Sequence, residues 1–232
     1  KNNMKVCLLG SGLSALTLAK ALTKENIYVD IFSKSKNHKI SPSRTIGISK
    51  SNFDYFNKNI INIENISWKI KKIEIYTDNL KNEKTLKFDN KEQLFSILKN
   101  YKLYDNLNKS LLNSKFFKKK TFLKNKINFS KYNLVINTDY LSGLTKKYFN
   151  KKISKKYNSK AYTTVFKHKK IQNDIAVQIF TKNGPLAFLP ISKNETSIVY
   201  SIHNSKNNLK DSICDLVHKY NFKYKIEKIK QF

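Results

Sequence analysis

Six residues near the N-terminus have the types and the spacing of a turn that binds a dinucleotide: Gly10, Ser11, Gly12, Leu13, Ser14 and Ala15. In a G-x-G-x-x-A pattern the first glycine permits a tight turn out of a strand, and the second lets the backbone approach a diphosphate. The alanine allows the following helix to pack closely on that strand. A diphosphate would lie at the helix N-terminus, where unpaired N–H groups and the helix dipole favour an anion. The pattern therefore predicts that residues 10–15 bind a dinucleotide cofactor.

The segments on both sides of this turn have the periodicities that the motif requires. Residues 6–9 form a continuous apolar run, which is typical of a parallel strand buried on both faces. Residues 13–23 carry leucine and alanine at helical spacing, and residues 28–32 have the pattern of a second strand. This order of strand, turn, helix and strand indicates a βαβ unit, which is the structural context of a dinucleotide-binding turn.

The residue expected to bind the ribose departs from the usual pattern. A carboxylate is expected at the end of the second strand, roughly 20 residues after the glycines, but Ser33 occupies that place. Asp30 lies inside the strand and is less well placed. Ser33 can still hydrogen-bond a ribose hydroxyl, although without the help of a charge. The neighbouring Lys34 and Lys36 leave a second interpretation open, in which they bind a 2′-phosphate and the cofactor is NADP.

The rest of the chain alternates between helical and strand-like patterns. Up to residue 157 we predict a helix at 49–56, a strand with one wet face at 68–77, an amphipathic helix at 91–101, a hairpin or two weak strands within 103–131, and a buried strand at 132–137. Beyond residue 157 we predict an antiparallel sheet from runs at 161–166, 174–180, 185–190 and 196–202, followed by a helix at 211–220.

These patterns predict an α/β fold with two domains. A Rossmann-like domain would span 1–157, and a mostly antiparallel β-sheet domain would span 158–232. The alternating stretch at 68–88 is a candidate for the second sheet, in which case the two domains are interleaved.

The strong positive charge does not by itself identify a nucleic-acid-binding protein. The formal net charge is +30, but of the 46 basic residues only Arg44 is an arginine. Base readout and bidentate phosphate binding favour arginine, so we expect no specific nucleic-acid partner. The abundant Lys, Asn, Ile, Tyr and Phe all have A/T-rich codons, and we interpret the lysine-rich surface as a consequence of nucleotide composition. Such a surface can also attract anionic lipid.

The residue types that usually carry metal, disulfide or nucleophilic chemistry form no recognisable pattern. Cys7 and Cys214 are too few for a disulfide framework, and the four histidines have no metal-ligand spacing. No Ser-His-Asp or Cys-His arrangement can be argued for. No apolar run reaches the roughly 18–20 residues that a spanning helix needs. We therefore expect no catalytic side chain of these classes, no metal site and a reducing, cytoplasmic environment.

Three segments together resemble the flavoprotein aromatic hydroxylases, and most closely the ubiquinone-biosynthesis hydroxylases that act on polyprenylated phenols. The first is the turn at 10–15, and the second is SRTIGIS at 43–49. The third and most specific lies within 179–191, where FTKNGPLAFLP is similar to the family's F-x-x-x-G-P-L-A-x-L-P strand pair. The order and spacing of these segments match the family along the whole chain.

The resemblance implies roles for residues outside the turn. Arg44, the one guanidinium of the chain, is expected near the flavin. Asp139 follows an apolar strand and is similar to the aspartate of the family's second fingerprint, although Tyr140 replaces the glycine that follows it in the family. On the substrate side the resemblance implies Gly184, Pro185, Leu186 and Pro190.

The resemblance also implies an activity. It predicts an oxidoreductase with FAD as cofactor, NADPH or NADH as reductant, and O₂ as co-substrate in the hydroxylation of a small aromatic, prenylated compound. Such a substrate suits peripheral association with the inner face of the membrane. The family continues with a Gly-Asp motif and a Pro- and Gly-rich helix start, which are not found before Phe232. We therefore expect the chain to be a fragment of a longer protein.

Two other function classes stay open at this point. An NADP-dependent reductase on a single Rossmann domain accounts for Ser33 and the lysines after it, but it does not account for the segment 179–191. A non-enzymatic basic module for nucleic acid or acidic membranes accounts for the charge, and it predicts binding that weakens steeply with salt.

Overall fold

The computed structural model describes residues 4–33, 40–78, 84–121, 127–139, 143–148, 153, 155, 157–203 and 210–229. In chain order its strands are β1 (Lys5–Leu9), β2 (Tyr28–Ser33), β3 (Thr45–Ser49), β4 (Ser67–Ile70), β5 (Lys72–Thr77), β6 (Lys84–Asp89), β7 (Phe95–Lys99), β8 (Phe117–Thr121), β9 (Leu134–Asn137), β10 (Ser159–His168), β11 (Ile175–Thr181), β12 (Gly184–Pro190), β13 (Glu195–His203) and β14 (Ile226–Ile229). Its α-helices are α1 (Leu13–Lys24), α2 (Lys50–Tyr55), α3 (Asn100–Leu112), α4 (Gly143–Tyr148) and α5 (Lys210–Lys219). Shorter helical turns are a π-helix at Phe56–Ile60 and 3₁₀ turns at Glu64–Ile66 and Phe129–Lys131.

The chain folds as two compact units, each made of several segments. The first comprises Lys1–Ser41, Asp54–Ile63 and Asn100–Ser154, and the second comprises Pro42–Phe53, Glu64–Lys99 and Lys155–Phe232. The sequence predicted a boundary near residue 157, with 68–88 as a candidate for the second sheet. The structure places a longer stretch in the second unit, because β3, β4 and β7 form a three-stranded sheet within it, in addition to β5, which pairs in parallel with β11 of the larger sheet.

The first unit is built on a four-stranded parallel sheet in the order β8-β2-β1-β9. Residues 6–8 of β1 are fully buried between β2 and β9. Helices α1 and α3 pack against each other and bury apolar side chains at helical spacing, among them Leu16, Ala19, Leu107 and Leu111. The parallel sheet and its βαβ unit confirm the Rossmann-like part of the predicted fold.

The amphipathic helix predicted at 91–101 is wrong. Residues 95–99 form β7, which lies between β3 and β4 in a three-stranded antiparallel sheet. Ile97 and Leu98 point to opposite faces of this sheet, and each is 1% exposed. A short strand buried on both faces is a continuous apolar run, and periodicity alone does not distinguish such a run from a buried helix.

The hairpin or weak strands predicted within 103–131 are also wrong over most of their length. Helix α3 runs to Leu112, and only β8 is a strand in the part of this stretch that the structure describes. The helical signal is the recurrence of Leu103, Leu107 and Leu111 at every fourth residue, and all three are buried. Lysine and asparagine, which fill the solvated positions between them, obscure this spacing in the sequence.

The second unit contains the β3-β7-β4 sheet and a seven-stranded sheet in the order β14-β10-β13-β12-β11-β5-β6. Only the β11-β5 pair of the larger sheet is parallel among its described ladders, which confirms the mostly antiparallel sheet predicted for the C-terminal part. The single strand predicted at 68–77 is two strands, since β4 belongs to the smaller sheet and β5 to the larger one.

One face of the larger sheet is packed and the other is partly open. On the packed face the sheet and the chain from α5 onward share a core of Phe166, Ile179, Leu186, Phe188, Ile198, Tyr200, Ile202, Ile213, Val217, Tyr220 and Tyr224. On the opposite face, which we call the open face, Ala176 packs with Ile70 and Ile97 of the smaller sheet. The rest of the open face carries partly exposed side chains such as Gln178, Ala187 and Val199.

Candidate cofactor site

The turn after β1 has a backbone conformation that favours glycine. Gly10 has a φ of +111°, and its N–H donates a 2.8 Å hydrogen bond to the carbonyl oxygen of Phe32. A Cβ atom on Gly10 would lie 2.5 Å from Oγ1 of Thr138, which is closer than side-chain carbons approach other atoms. The first glycine of the motif is therefore required both by its φ and by the close approach of the turn after β9.

Gly12 is the N-cap of α1 and leaves the space in front of the helix open. No described atom lies within 4 Å of the position that a Cβ on Gly12 would take, and its φ of −77° is accessible to any residue. The first turn of α1 has no acidic residue, and the N-cap has no side-chain hydrogen bond. The N–H groups of residues 13–15 are thus positioned to bind an anion at the positive end of the helix dipole.

The other residues of the motif have the exposures that this arrangement needs. Ala15 is fully buried, which fits the close packing of α1 on β1. Ser14 is exposed, and Ser11 and Leu13 are partly exposed. The turn therefore combines an anchored inner side with an accessible outer side.

The turn after β9 lies directly beside Gly10. The N–H and the hydroxyl of Thr138 both donate 2.8 Å hydrogen bonds to the carbonyl oxygen of Leu9, so the ends of β1 and β9 are fastened together. The N–H of Asp139 donates to Oδ1 of Asn137 at 3.0 Å, and its carbonyl oxygen accepts a bond from Thr145 at 3.1 Å. The structure therefore brings Asp139 to the Gly10 turn, whereas Tyr140 lies outside the described residues.

Thr138 and Asn137 are positioning residues that sequence reasoning missed. They lie at and just after the end of β9, and nothing local marks them as neighbours of Gly10, since the contact depends on the parallel pairing of β1 with β9. A polar residue directly after an apolar parallel strand is the signal that could have identified them, because the carboxyl ends of parallel strands meet at one edge of the sheet. The strand predicted at 132–137 is present as β9, but its predicted burial is wrong, since β9 is an edge strand whose Leu134 and Val135 are exposed.

The end of β2 carries the residue predicted to bind the ribose. Ser33 is 5% exposed at the last position of that strand, so its hydroxyl is within the protein rather than at the surface. Lys34 and Lys36, on which the NADP interpretation depends, lie outside the described residues. The role of Ser33 stays a prediction.

Asp30 belongs to a buried ionic cluster inside β2. Its Oδ2 accepts hydrogen bonds from Nζ of Lys120 at 2.7 Å and from the hydroxyl of Tyr132 at 2.6 Å, and Nζ of Lys5 lies 3.2 Å away. Burial alone would raise the pKa of the Asp30 carboxyl, but these three donors together hold it below its usual value. Burial and the neighbouring Asp30 carboxylate raise the pKa of Cys7 to about 11. Asp30 is therefore occupied by structural partners.

Arg44 lies in the second unit, just before β3, and is exposed. The residues on either side of it are fastened to the larger sheet. The hydroxyl oxygen of Ser43 lies 3.3 Å from that of Thr163, and the hydroxyl oxygen of Thr45 lies 3.2 Å from that of Ser197. These hydroxyl pairs fix the backbone that carries the only guanidinium of the chain.

The segment predicted on the substrate side forms β12, an inner strand of the larger sheet. Gly184 has a φ of +139°, and a Cβ there would lie 2.0 Å from the carbonyl oxygen of Ser201, so the hairpin geometry requires glycine. Pro185 is partly exposed, whereas Leu186 is fully buried in the core of the packed face. Because strand side chains alternate, Pro190 shares that face and is buried too.

Leu186 therefore belongs to the core of the packed face, and Pro190 is buried on the same face, while the assignment of both to the substrate side stays a prediction. The open-face positions of β12 are Pro185, Ala187 and Leu189. Among the described residues there is no cluster of three or more His, Cys, Asp or Glu that could bind a metal ion. No helix in the described part of the chain is long and apolar enough to cross a membrane.

Comparisons with known proteins give matches at the level of structure. No family model matches the sequence, and no curated protein matches it. p-Nitrophenol 4-monooxygenase PnpA of Pseudomonas putida DLL-E4 matches with a TM-score of 0.73 and 11% identity over 99% of this chain and 67% of that one. A variant of HpxO of Klebsiella pneumoniae, complexed with FAD, matches with a TM-score of 0.70 and 11% identity over 94% of this chain and 63% of that one. 2,6-Dihydroxypyridine-3-hydroxylase of Arthrobacter nicotinovorans matches with a TM-score of 0.66 and 16% identity over 90% of this chain and 59% of that one.

These structures are longer than the present chain, which spans 59% to 67% of their lengths. The match nevertheless extends over 90% or more of the present chain, so it includes both units and not only the βαβ part. The chain therefore has the mixed α/β fold of these hydroxylase and monooxygenase structures over the part that it spans.

Proposed function

We propose that the chain is the cofactor- and substrate-binding part of an FAD-dependent monooxygenase that hydroxylates an aromatic ring. The observation that carries this proposal is the open N-terminus of α1 behind Gly10 and Gly12. The proposal is also supported by the fold that the chain shares with HpxO complexed with FAD. The same fold is shared with two enzymes that are named as a monooxygenase of p-nitrophenol and a hydroxylase of 2,6-dihydroxypyridine.

The residues of the first unit fit a dinucleotide. The N–H groups of residues 13–15 would bind the diphosphate, and Gly12 leaves room for it because no described atom occupies the position of its missing side chain. Ser33 would bind the ribose, and Asp139 would lie near the diphosphate on the neighbouring turn. Bound FAD would supply the redox chemistry that activates O₂, with NADPH or NADH as the reductant. Arg44 is proposed from the resemblance as a further flavin-binding residue.

The protein's own contribution would be to hold the ring and exclude water. The open face of the larger sheet is the surface that we propose for the substrate, since Gln178, Ala187 and Val199 are partly exposed there and the opposite face is filled by the α5 core. Gly184 and Pro185 begin the strand that crosses this face. The finer assignment to a prenylated phenol of ubiquinone biosynthesis, bound at the inner face of the membrane, rests on the similarity of the 179–191 segment.

A visible absorption spectrum tests the proposal directly. The purified chain should show the visible absorption bands of bound oxidised flavin, and the cofactor released by heat should be identified as FAD by chromatography. A chain that is colourless and also rejects added FAD would contradict the proposal. A chain that instead binds NADP and remains colourless would favour the reductase interpretation, so the same titration should be run with NADP.

A further inference from the structure

An apolar pocket lies on the packed face of the larger sheet, beside the chain segment that follows α5. It has a volume of about 100 Å³ and is lined mainly by aromatic and branched side chains: Tyr76, Val177, Ile179, Phe188, Tyr220 and Tyr224. The hydroxyl groups of its three tyrosines are already engaged, because each donates a hydrogen bond to an oxygen of Glu74, Asp78 or Asn173. The pocket therefore offers ring faces and methyl groups, and it suits an apolar group.

A cationic cleft lies on the same face, toward the start of β5. This open cleft has a volume of about 560 Å³, and four of its lining residues are lysines: Lys71, Lys72, Lys91 and Lys223. Of its two carboxylates, Asp89 lies 3.6 Å from Lys72, and Asp174 accepts a hydrogen bond from Gln172 at 3.0 Å. The other three lysines have no carboxylate of a described residue at ion-pair distance. The cleft therefore has positive charge that is available to an anion.

The pocket and the cleft are continuous along β5 and β11. Three residue pairs follow one another on the packed face: Lys72 with Ile175, Glu74 with Val177, and Tyr76 with Ile179. The first pair lines the cleft, the second and third line the pocket, and Lys223 lines both. Successive positions on one face of a strand are about 6.6 Å apart, so the cleft begins one such step from the pocket.

We propose that the pocket and the cleft together, which we call the packed-face site, bind a small organic anion in which a short carbon chain joins one ring to the charged group. The ring would enter the pocket. A closed cavity of roughly 150 Å³ holds benzene, so an open pocket of about 100 Å³ accepts a single ring with one edge outside it. The charged group would lie in the cleft against Lys223 and Lys71.

The packed-face site lies opposite the open face that we propose for the hydroxylated substrate. All of its lining residues belong to the second unit, whereas the G-x-G-x-x-A turn belongs to the first. Binding at the packed-face site is therefore independent of the proposed flavin chemistry, and each can be tested without the other.

A ligand-detected NMR titration of the whole chain with 3-phenylpropionate tests this site. We expect a dissociation constant of about 1 mM or lower, which is the range for a ligand of this size. Propionate lacks the ring and 3-phenylpropanol lacks the charge, so each should bind at least about tenfold more weakly. Equal binding of propionate would indicate only the general attraction of a chain with a net charge of +30 for anions. That result, equal binding of 3-phenylpropanol, or no binding of 3-phenylpropionate would overturn the proposal.

Two exposed lysines form a matched pair of variants for the charged half of the site. The ammonium groups of Lys219 and Lys223 each lie over the ring of the next tyrosine, at 4.9 and 5.5 Å from its centroid. Only Lys223 lines the packed-face site. Lys223→Gln should therefore weaken the binding of 3-phenylpropionate about fivefold, and Lys219→Gln should leave it unchanged. Equal affinities of these two variants would contradict the proposed role of the cleft.

Two neighbouring positions of β11 test which face of the sheet binds the ring. Val177 lines the pocket on the packed face, and Gln178 is half-buried on the open face. Val177→Phe should fill the pocket and abolish detectable binding, whereas Gln178→Phe should bind 3-phenylpropionate as the wild type does. Circular dichroism confirms that each variant is folded. Binding that is lost in Gln178→Phe and retained in Val177→Phe would place the ligand on the open face and overturn the proposal. The flavin spectrum reports separately on the proposed catalytic function.

Discussion

Replacing Asp30 with asparagine should weaken the first unit selectively. The carboxylate is 2% exposed and takes a hydrogen bond from Tyr132 and contacts with Lys120 and Lys5. Asp30→Asn keeps the shape of the side chain but removes the charge that orients these three donors. The strands β8, β2 and β1 are joined across this cluster, since Lys120, Asp30 and Lys5 belong to one each.

The size of the effect follows from the burial of the partners. A hydrogen bond to a charged group stabilises the folded state by at least about 1.5 kcal/mol, and we assign this lower value to the bond from Tyr132. The two lysine side chains are 37% and 40% exposed, so solvent screens them and each contributes about 0.5 kcal/mol. The asparagine is less costly to bury than a carboxylate, which offsets part of this sum. We expect a loss of about 2 kcal/mol in the free energy of unfolding at pH 7.

Urea unfolding followed by circular dichroism measures this loss, with Asp105→Asn as the control. Asp105 lies on α3 and is exposed, so its substitution removes the same charge from the same unit and should change stability by less than about 0.5 kcal/mol. The donors lower the pKa of Asp30 from its usual 3.8. The contribution of the Asp30 carboxylate to the free energy of unfolding is therefore complete above this usual pKa. It is lost as the pH falls through the lower pKa of the folded state. A difference between wild type and Asp30→Asn that is absent at pH 7, or that grows on acidification, would refute the reasoning.

Two further predictions concern glycine and cysteine. Gly184→Ala should destabilise the second unit by about 3 kcal/mol in urea unfolding, because its Cβ would lie 2.0 Å from the carbonyl oxygen of Ser201 at a φ of +139°. Gly47→Ala is the control and should lower the free energy of unfolding far less, because the nearest atom to its Cβ beyond its chain neighbours would be a Phe95 ring carbon at 3.5 Å. Iodoacetamide at a mildly alkaline pH should label only Cys214 in the native chain, because Cys7 is fully buried and has a pKa raised to about 11; mass spectrometry showing native labelling of Cys7 would contradict the structure.

The βαβ unit could be predicted from the sequence because its signals are local. The apolar run before Gly10, the helical spacing after Gly12 and the second strand are each contained in a short window, and the structure confirms all three elements. The four strands between residues 159 and 203 are confirmed for the same reason, since turn residues such as Lys193 and Asn194 separate them in the sequence.

The sequence did not determine contacts between distant segments. The apolar run of β7 predicted a helix, but this segment pairs with β3 on one side and β4 on the other and is therefore a buried strand. Leu186 lies beside Pro185 in a motif, but only the alternation of β12 within the sheet decides that it faces the core. Thr138 meets Gly10 because β1 and β9 are parallel neighbours, although the two positions are far apart along the chain. Each of these outcomes depends on which strands pair, and the local pattern contains no such information.

The central proposal depends on the open space at Gly12, and FAD titration of Gly12→Ala tests it most directly. The added methyl group meets no described atom within 4 Å and fits the φ of −77°, so the variant should fold as the wild type does. A diphosphate on the α1 N-terminus would meet that methyl group, and we expect FAD affinity to fall about 30-fold, which corresponds to about 2 kcal/mol of overpacking. Gly143→Ala, which also meets no described atom within 4 Å, should bind FAD as the wild type does. Unchanged FAD affinity in a folded Gly12→Ala variant would contradict the proposal that this turn binds the cofactor.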